Sequence, residues 1–250
     1  WEPVVAVKDG NGNTIDPSNY KLVWSKDESS GTVMTTAGEK TLTITAKEGS
    51  NCTGSKTITN IATITKAEIA DISVEQTETL TYTGQPQTAT VQTAATTVNG
   101  QTATFTYSTD ADGTYSDIVP SFTGAGDHTV YYKVTAPNHS DATGIFTLTI
   151  SQLDLSTADV TISNDTYTYT GNAWEPVVTV KDGNGNTIDP SNYKLVWSKD
   201  ENDRIYPSGE KTLKVSSLDD GNCTGSKSIT YTIANATITD VAVNQTGRLT

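Results

Sequence analysis

The chain has 250 residues, 34% of them hydrophobic, and 16 Lys and Arg against 29 Asp and Glu give a formal net charge of -13 at pH 7. That charge repels phosphate backbones and anionic lipid, which argues against nucleic acid as a partner. No apolar run approaches the roughly 18 residues a membrane helix needs, so no membrane insertion is expected of this segment, and no signal-peptide pattern opens it at Trp1. The sequence reads as part of something larger.

In chain order, the first stretch is WEPVVAVKDGNGNTIDPSNYKLVWSKDE from Trp1. Alternating Val after Pro3 predicts a strand, DGNGN at Asp9 a hairpin turn, and DPSNY at most one helical turn. In YKLVWS, Tyr20, Leu22 and Trp24 fall on one face and Lys21, Val23 and Ser25 on the other, the period of a half-buried strand. GEKTL from Gly38 and NCTGSK from Asn51 follow. The connector TITKAEIADISVEQTETLT lacks Gly and Pro and predicts a stiff junction in which the linker continues a strand. A second series then runs YTG at Tyr82, FTYS at Phe105, DADG at Asp110, GDHTVYYKV at Gly126, PNHSDATG at Pro137 and FTLTI at Phe146. After a similar connector, TISQLDLSTADVTISNDT, a third series has YTGNAWEPVVTV from Tyr169, LVWS at Leu195, GEKTLKV at Gly209, GNCTGS at Gly221 and ITYTI at Ile229.

Repetition organises these elements. Trp1 to Glu28 recurs as Trp174 to Glu201 with a single change, Ala6 against Thr179, and the two copies realign at Gly38 and Gly209 and at Asn51 and Asn222. Chance does not produce such a match; duplication within an array does. The expected units are a type A domain over 1–65 lacking its opening strand, a type B domain over 66–151, a second type A domain over 152–239, and the start of another type B-like unit over 240–250. Evenly spaced short strands without a helical stripe predict an all-β fold, a tandem array of small Ig-like β-sandwich domains, with β-grasp-like all-β modules as the alternative.

The order YTG, PVVTV, DGNG, NYKLVWS, a Gly-initiated strand, GN-x-TGSK and TYTI resembles the tandem repeats of large bacterial cell-surface proteins, the MBG-type or bacterial immunoglobulin-like repeats. The resemblance covers essentially the whole chain. It implies an extracellular location on a bacterial surface and a spacer role. The residue after Asn in the GN-x motif, commonly Tyr in such repeats, is Cys52, His139 and Cys223 here.

Chemistry-bearing residues are sparse. Trp24 and Trp197 alternate in phase with core positions, whereas Trp1 and Trp174 sit beside Glu-Pro at a strand start and are the candidates for stacking on a glycan. DGNGNTID spaces Asp9, Asn11 and Asn13 like the opening of a Ca²⁺ loop, but Thr14 and Tyr20 stand where an EF-hand needs Gly and an acid, so a hairpin turn is expected. Asp110 and Asp112 are the remaining candidates for weak Ca²⁺ binding, against a solvated turn; no other cofactor is indicated. His128 and His139 stand without a catalytic motif, so no enzyme is expected. Cys52 and Cys223 occupy matching positions in two copies and have no partner within their own units, which leaves small apolar packing residues or thiols that link neighbouring chains. The expected function is a stalk or spacer segment of a surface adhesin. The alternatives are a module that binds host or dietary glycans or a host protein, and self-association of copies, in which a donated strand completes the first unit.

Overall fold

The computed structural model describes residues 3–25, 36–174, 176–200 and 207–242. The fold is all-β. The strands are β1 (Tyr20–Trp24), β2 (Gly38–Ala46), β3 (Ser55–Ile64), β4 (Ala70–Gln76), β5 (Leu80–Thr81), β6 (Val91–Thr96), β7 (Thr104–Ser108), β8 (Gly126–Thr135) and β9 (Ala142–Ser151). They continue with β10 (Leu153–Asp154), β11 (Asp159–Ile162), β12 (Thr166–Thr168), β13 (Val178–Lys181), β14 (Tyr193–Trp197), β15 (Gly209–Ser217), β16 (Cys223–Thr224) and β17 (Ser226–Ala234). The only helical segments among the described residues are single 3-10 turns at Pro17–Asn19, Val98–Gly100 and Pro190–Asn192. In the first and last of these, Asp16 and Asp189 cap the turn by accepting from the backbone N–H of Ser18 and Ser191, which is the one turn expected of DPSNY.

Contact density divides the chain into two compact units. One comprises residues 1–75, 92–118 and 131–145, the other residues 76–91, 119–130 and 146–250. In the first unit, β1, β2 and β3 form an antiparallel sheet with Tyr20 opposite Ala46 and Trp24 opposite Leu42. Trp24 and Leu42 are its buried centre, and Val5, Leu22, Ile44 and Ile64 pack around them. The same unit pairs β4 with β6 and sets β7 antiparallel to the second half of β8.

The second unit holds a four-stranded sheet in the order β12-β17-β15-β14, in which β12 runs parallel to β17 and the other pairs are antiparallel. A separate sheet joins β11 to β13, and β10 lies parallel to β16. Burial alternates as the strand period requires: Tyr231 and Ile233 of β17 are buried while Thr230 and Thr232 are exposed. Val160 of β11 and Val180 of β13 are buried from one sheet, Leu213 and Val215 of β15 from the other, so the two inner faces share a core. Two sheets around one core make an Ig-like β-sandwich, rather than a single grasping sheet.

The glycine that opens β2, β8 and β15 has φ of 116°, 122° and 119° at Gly38, Gly126 and Gly209. A side chain at this left-handed φ is strained, so the Gly-initiated strand is a backbone requirement repeated in all three series. The stretches read as connectors are strands: β4 falls within the first and β10 and β11 within the second, and one residue, Gln152, separates β9 from β10.

Candidate binding groove

The near-identical segments provide an internal control, because the same residues sit in two surroundings. In the second unit, β11 pairs edge to edge with β13 and β10 with β16. Leu155 and Ala158 are fully buried, Val160 faces Val180 in register, Leu153 pairs with Cys223, and the Lys227 ammonium donates to the Ala158 carbonyl. In the same unit Val180, Ile188 and Val215 are fully buried, and Cys223 is 1% exposed.

In the first unit, no strand among the described residues pairs with the matching positions. Val7, Ile15, Ile44 and Cys52 are only half-buried, and with Tyr20 and Lys56 they line an open groove of about 270 Å³. Cys52 and Thr53 line it, and their counterparts Cys223 and Thr224 pair with β10 in the second unit. Lys56 lines the groove and matches Lys227 in the sequence.

The Asp-Asn-Gly turns are built by their own side chains. Asp182 Oδ1 accepts from the backbone N–H of Asn184 and Asn186 at 2.9 and 2.8 Å, and Oδ2 accepts from the Asn186 amide at 2.8 Å. Asp9 makes the same three bonds with Asn11 and Asn13. Burial raises the pKa of Asp182, but the bonds from Asn186, Asn184 and Gly185 outweigh it and hold the carboxyl below its ordinary 3.8. The carboxylates are committed to the turn, in agreement with the hairpin expected there. Asp110 Oδ1 likewise accepts from the Asp112 N–H at 3.1 Å. Among the described residues no three His, Cys, Asp or Glu side chains come together to hold a metal.

Trp174 stands at one end of an aromatic series. Its ring lies 5.0 Å from Tyr167, which meets Tyr231 edge-on at 6.1 Å, and Trp197 meets Tyr231 edge-on at 5.7 Å. The indole N–H donates to the Thr168 carbonyl at 3.0 Å. Trp197 is thus a half-buried flank of the buried Tyr231, Trp174 is half-buried against the half-buried Tyr167, and Trp24 is itself buried. Trp1, the other glycan candidate, lies outside the described residues.

Sequence reasoning gave no role to the asparagine of the GN-x motif. In the second unit Asn222 Oδ1 accepts from the Ala125 N–H at 2.8 Å, and its amide donates to Asn192 Oδ1 at 2.7 Å. The buried Tyr82 phenol hydrogen-bonds the side chains of Asn192 and Asn222; burial raises its pKa above 10.0, and the neighbouring Cys223 adds to the rise. In the first unit Asn138 Oδ1 accepts from the Ala37 N–H at 2.9 Å. Ala37 and Ala125 both precede the strand-opening glycine, so the contact recurs at one repeat position. The recurrence of Asn before Cys52, His139 and Cys223 was the signal available in the sequence.

The residue after this asparagine is buried in both of these places. His139 is 3% exposed, accepts at Nε2 from the Val98 N–H at 2.9 Å, and has Nδ1 2.7 Å from the Pro137 carbonyl. Those partners require the neutral ring with its proton on Nδ1. His128 stacks on Phe122 at 4.2 Å and bonds the Gly124 carbonyl. Burial pushes the Cys223 thiol above its ordinary 9.0.

No protein-family model and no curated protein matches this sequence. Among solved structures the chain is similar to "PcdhgB3 EC1-4 in 50 mM HEPES", at 14% identity and a TM-score of 0.21, over 89% of this chain. The chain spans 66% of the length of that structure. Among the described residues no helix is long and apolar enough to cross a membrane.

Proposed function

We propose that this chain is a structural spacer segment of an extracellular bacterial surface adhesin, built from MBG-type repeats, that presents binding domains located elsewhere in its parent protein. The observation that carries this reading is how the repeats follow one another. One residue separates β9 from β10, and within the second unit the Gln152 amide donates to the Gly221 carbonyl at 2.6 Å, beside the Asn222 contact to Ala125. Such a junction restrains bending, which a spacer needs and an isolated module does not. This reading gives the chain no enzymatic role, and the Asp9 and Asp182 carboxylates serve their own turns.

The test is single-molecule stretching together with a glycan and mucin array. A spacer gives discrete unfolding events under force and no saturable signal on the array. Reproducible glycan binding that disappears in Trp174→Ala, with the fold retained, would replace the spacer by a lectin-like module.

A further inference from the structure

We propose that this chain carries tensile load, and that the parallel strand pairs β5–β9 and β12–β17 are the clamps that bear it. The inference rests on the spacer reading and names the elements that give a spacer its strength.

Both pairs lie in the second unit. Leu80 and Thr81 of β5 pair with Ile150 and Ser151 of β9, and Thr166, Tyr167 and Thr168 of β12 pair with Thr232, Ile233 and Ala234 of β17, in each case parallel. One bond recurs at the same place in both series: the Tyr82 N–H donates to the Ser151 carbonyl and the Tyr169 N–H to the Ala234 carbonyl, each at 2.8 Å. At the other end of β12 the Thr232 N–H donates to the Asp165 carbonyl at 2.8 Å. Beside β5 the Gln76 side chain takes the part of a strand backbone, with Oε1 accepting from the Thr149 N–H at 2.8 Å and Nε2 donating to the Thr149 carbonyl at 3.1 Å.

Strand direction gives these pairs their mechanical role. In chain order β5 and β12 come first in their sheets and β9 and β17 last, so the chain enters each parallel pair at one end and leaves it at the other. Tension between the two sides slides one strand along its partner. Interstrand hydrogen bonds run across the strands, so they resist that sliding together. In an antiparallel pair the chain would enter and leave at the same end, and the bonds would open one after another.

The clamps also close the core. Ile150 and Ile233, which face Leu80 and Tyr167 in register, are each 1% exposed. β11 precedes β12 on the load path and pairs with β13 over Asp159–Ile162, so its release is a short first step that leaves β12–β17 joined. Loss of β12 from β17 is the step that bares the core, and its rate under load sets how long the unit lasts.

The test pulls one fold in two directions. Azide-bearing residues introduced at the exposed Asn164, Thr170 and Asn235 take the handles. Handles at Asn164 and Asn235 shear β12 along β17, and handles at Thr170 and Asn235 peel the same pair from one end. At one constant force the unit unfolds at least about tenfold faster when peeled. A second arm holds the full chain by its ends. There Tyr169→Pro removes the donor to Ala234 and accelerates the matching event at least about tenfold over Tyr169→Ala, which keeps that N–H. Asp182→Ala, away from the clamp, lowers the urea midpoint and leaves the rate under load within about threefold. Equal rates in the two directions, equal rates for Tyr169→Pro and Tyr169→Ala, or an Asp182→Ala chain that unfolds under load as fast as Tyr169→Pro each overturn the clamp. Discrete unfolding events that persist in any of those cases leave the spacer reading standing, whereas a chain that extends without discrete events overturns both.

Discussion

The two cysteines differ by environment, not by chemistry. Cys223 is buried, paired with Leu153 of β10, and its thiol pKa is raised by burial, while Cys52 is half-buried and lines the open groove. Because the thiolate is the reacting form, one cysteine per native chain should react with a thiol reagent in the first phase, and mapping should place it at Cys52. The second reacts only when the β10 segment opens. The paired aspartates make a similar contrast. Asp182→Ala strips partners from the Asn184 and Asn186 N–H groups at a position 5% exposed and should destabilise its unit by about 2 kcal/mol in urea titration. Asp9→Ala removes the same bonds where water can replace them, and its loss should be smaller.

At the level of the strand, the cover supplied by β11 decides what a side chain is worth. Val180 is fully buried opposite Val160, and Val7 occupies the same place in the sequence without that cover. Truncating a buried valine removes two carbons at about 0.8 kcal/mol each and leaves a cavity. Val180→Ala should therefore accelerate native-state labelling of Cys223 by roughly 30-fold, a change of about 2 kcal/mol. Val7→Ala should change the labelling of Cys52 by less than about threefold, because that thiol is already accessible. Trp174→Ala belongs here as well. With Tyr167 against its ring and its N–H bonded to Thr168, its truncation should lower the melting temperature of its unit.

For the whole molecule, the repeating asparagine contact should restrain the junctions. Asn222→Ala removes the acceptor of the Ala125 N–H and one partner of Tyr82, and by hydrogen exchange the Ala125 amide should exchange about tenfold faster while amides in the middle of β15 stay protected. Stability should also fall at both ends of the pH scale. Asp9, Asp16, Asp154, Asp182 and Asp189 have folded-state pKa values lowered below 3.8, so their contribution is complete above that value and is lost as pH falls through the folded values. Cys223, Tyr82, Tyr107 and Tyr193 are raised by burial, so their contribution is complete below pH 9.0 and is lost as pH climbs from there through the raised values. Urea midpoints measured from pH 2 to pH 11 should trace a plateau with two shoulders.

The amino-acid order alone determined the strands, the turns and the period. Alternation in YKLVW and TLKV, the strand-opening glycines and the Asp-Asn-Gly hairpins are local requirements of backbone and pleat, so they can be read from neighbours in sequence. Tertiary structure decided everything that depends on which strand lies over which. It made the supposed connectors into β4, β10 and β11, gave Asn138 and Asn222 their roles as hydrogen-bond acceptors, and drew Trp174 against Tyr167 and Trp197 against the buried Tyr231. The clearest case is the pair of near-identical segments: Val7 and Val180, or Cys52 and Cys223, share most of their neighbours along the chain, and Val180 and Cys223 alone have a strand paired beside them. Burial is a property of three-dimensional neighbours, and no local reading of one copy could distinguish it from the other.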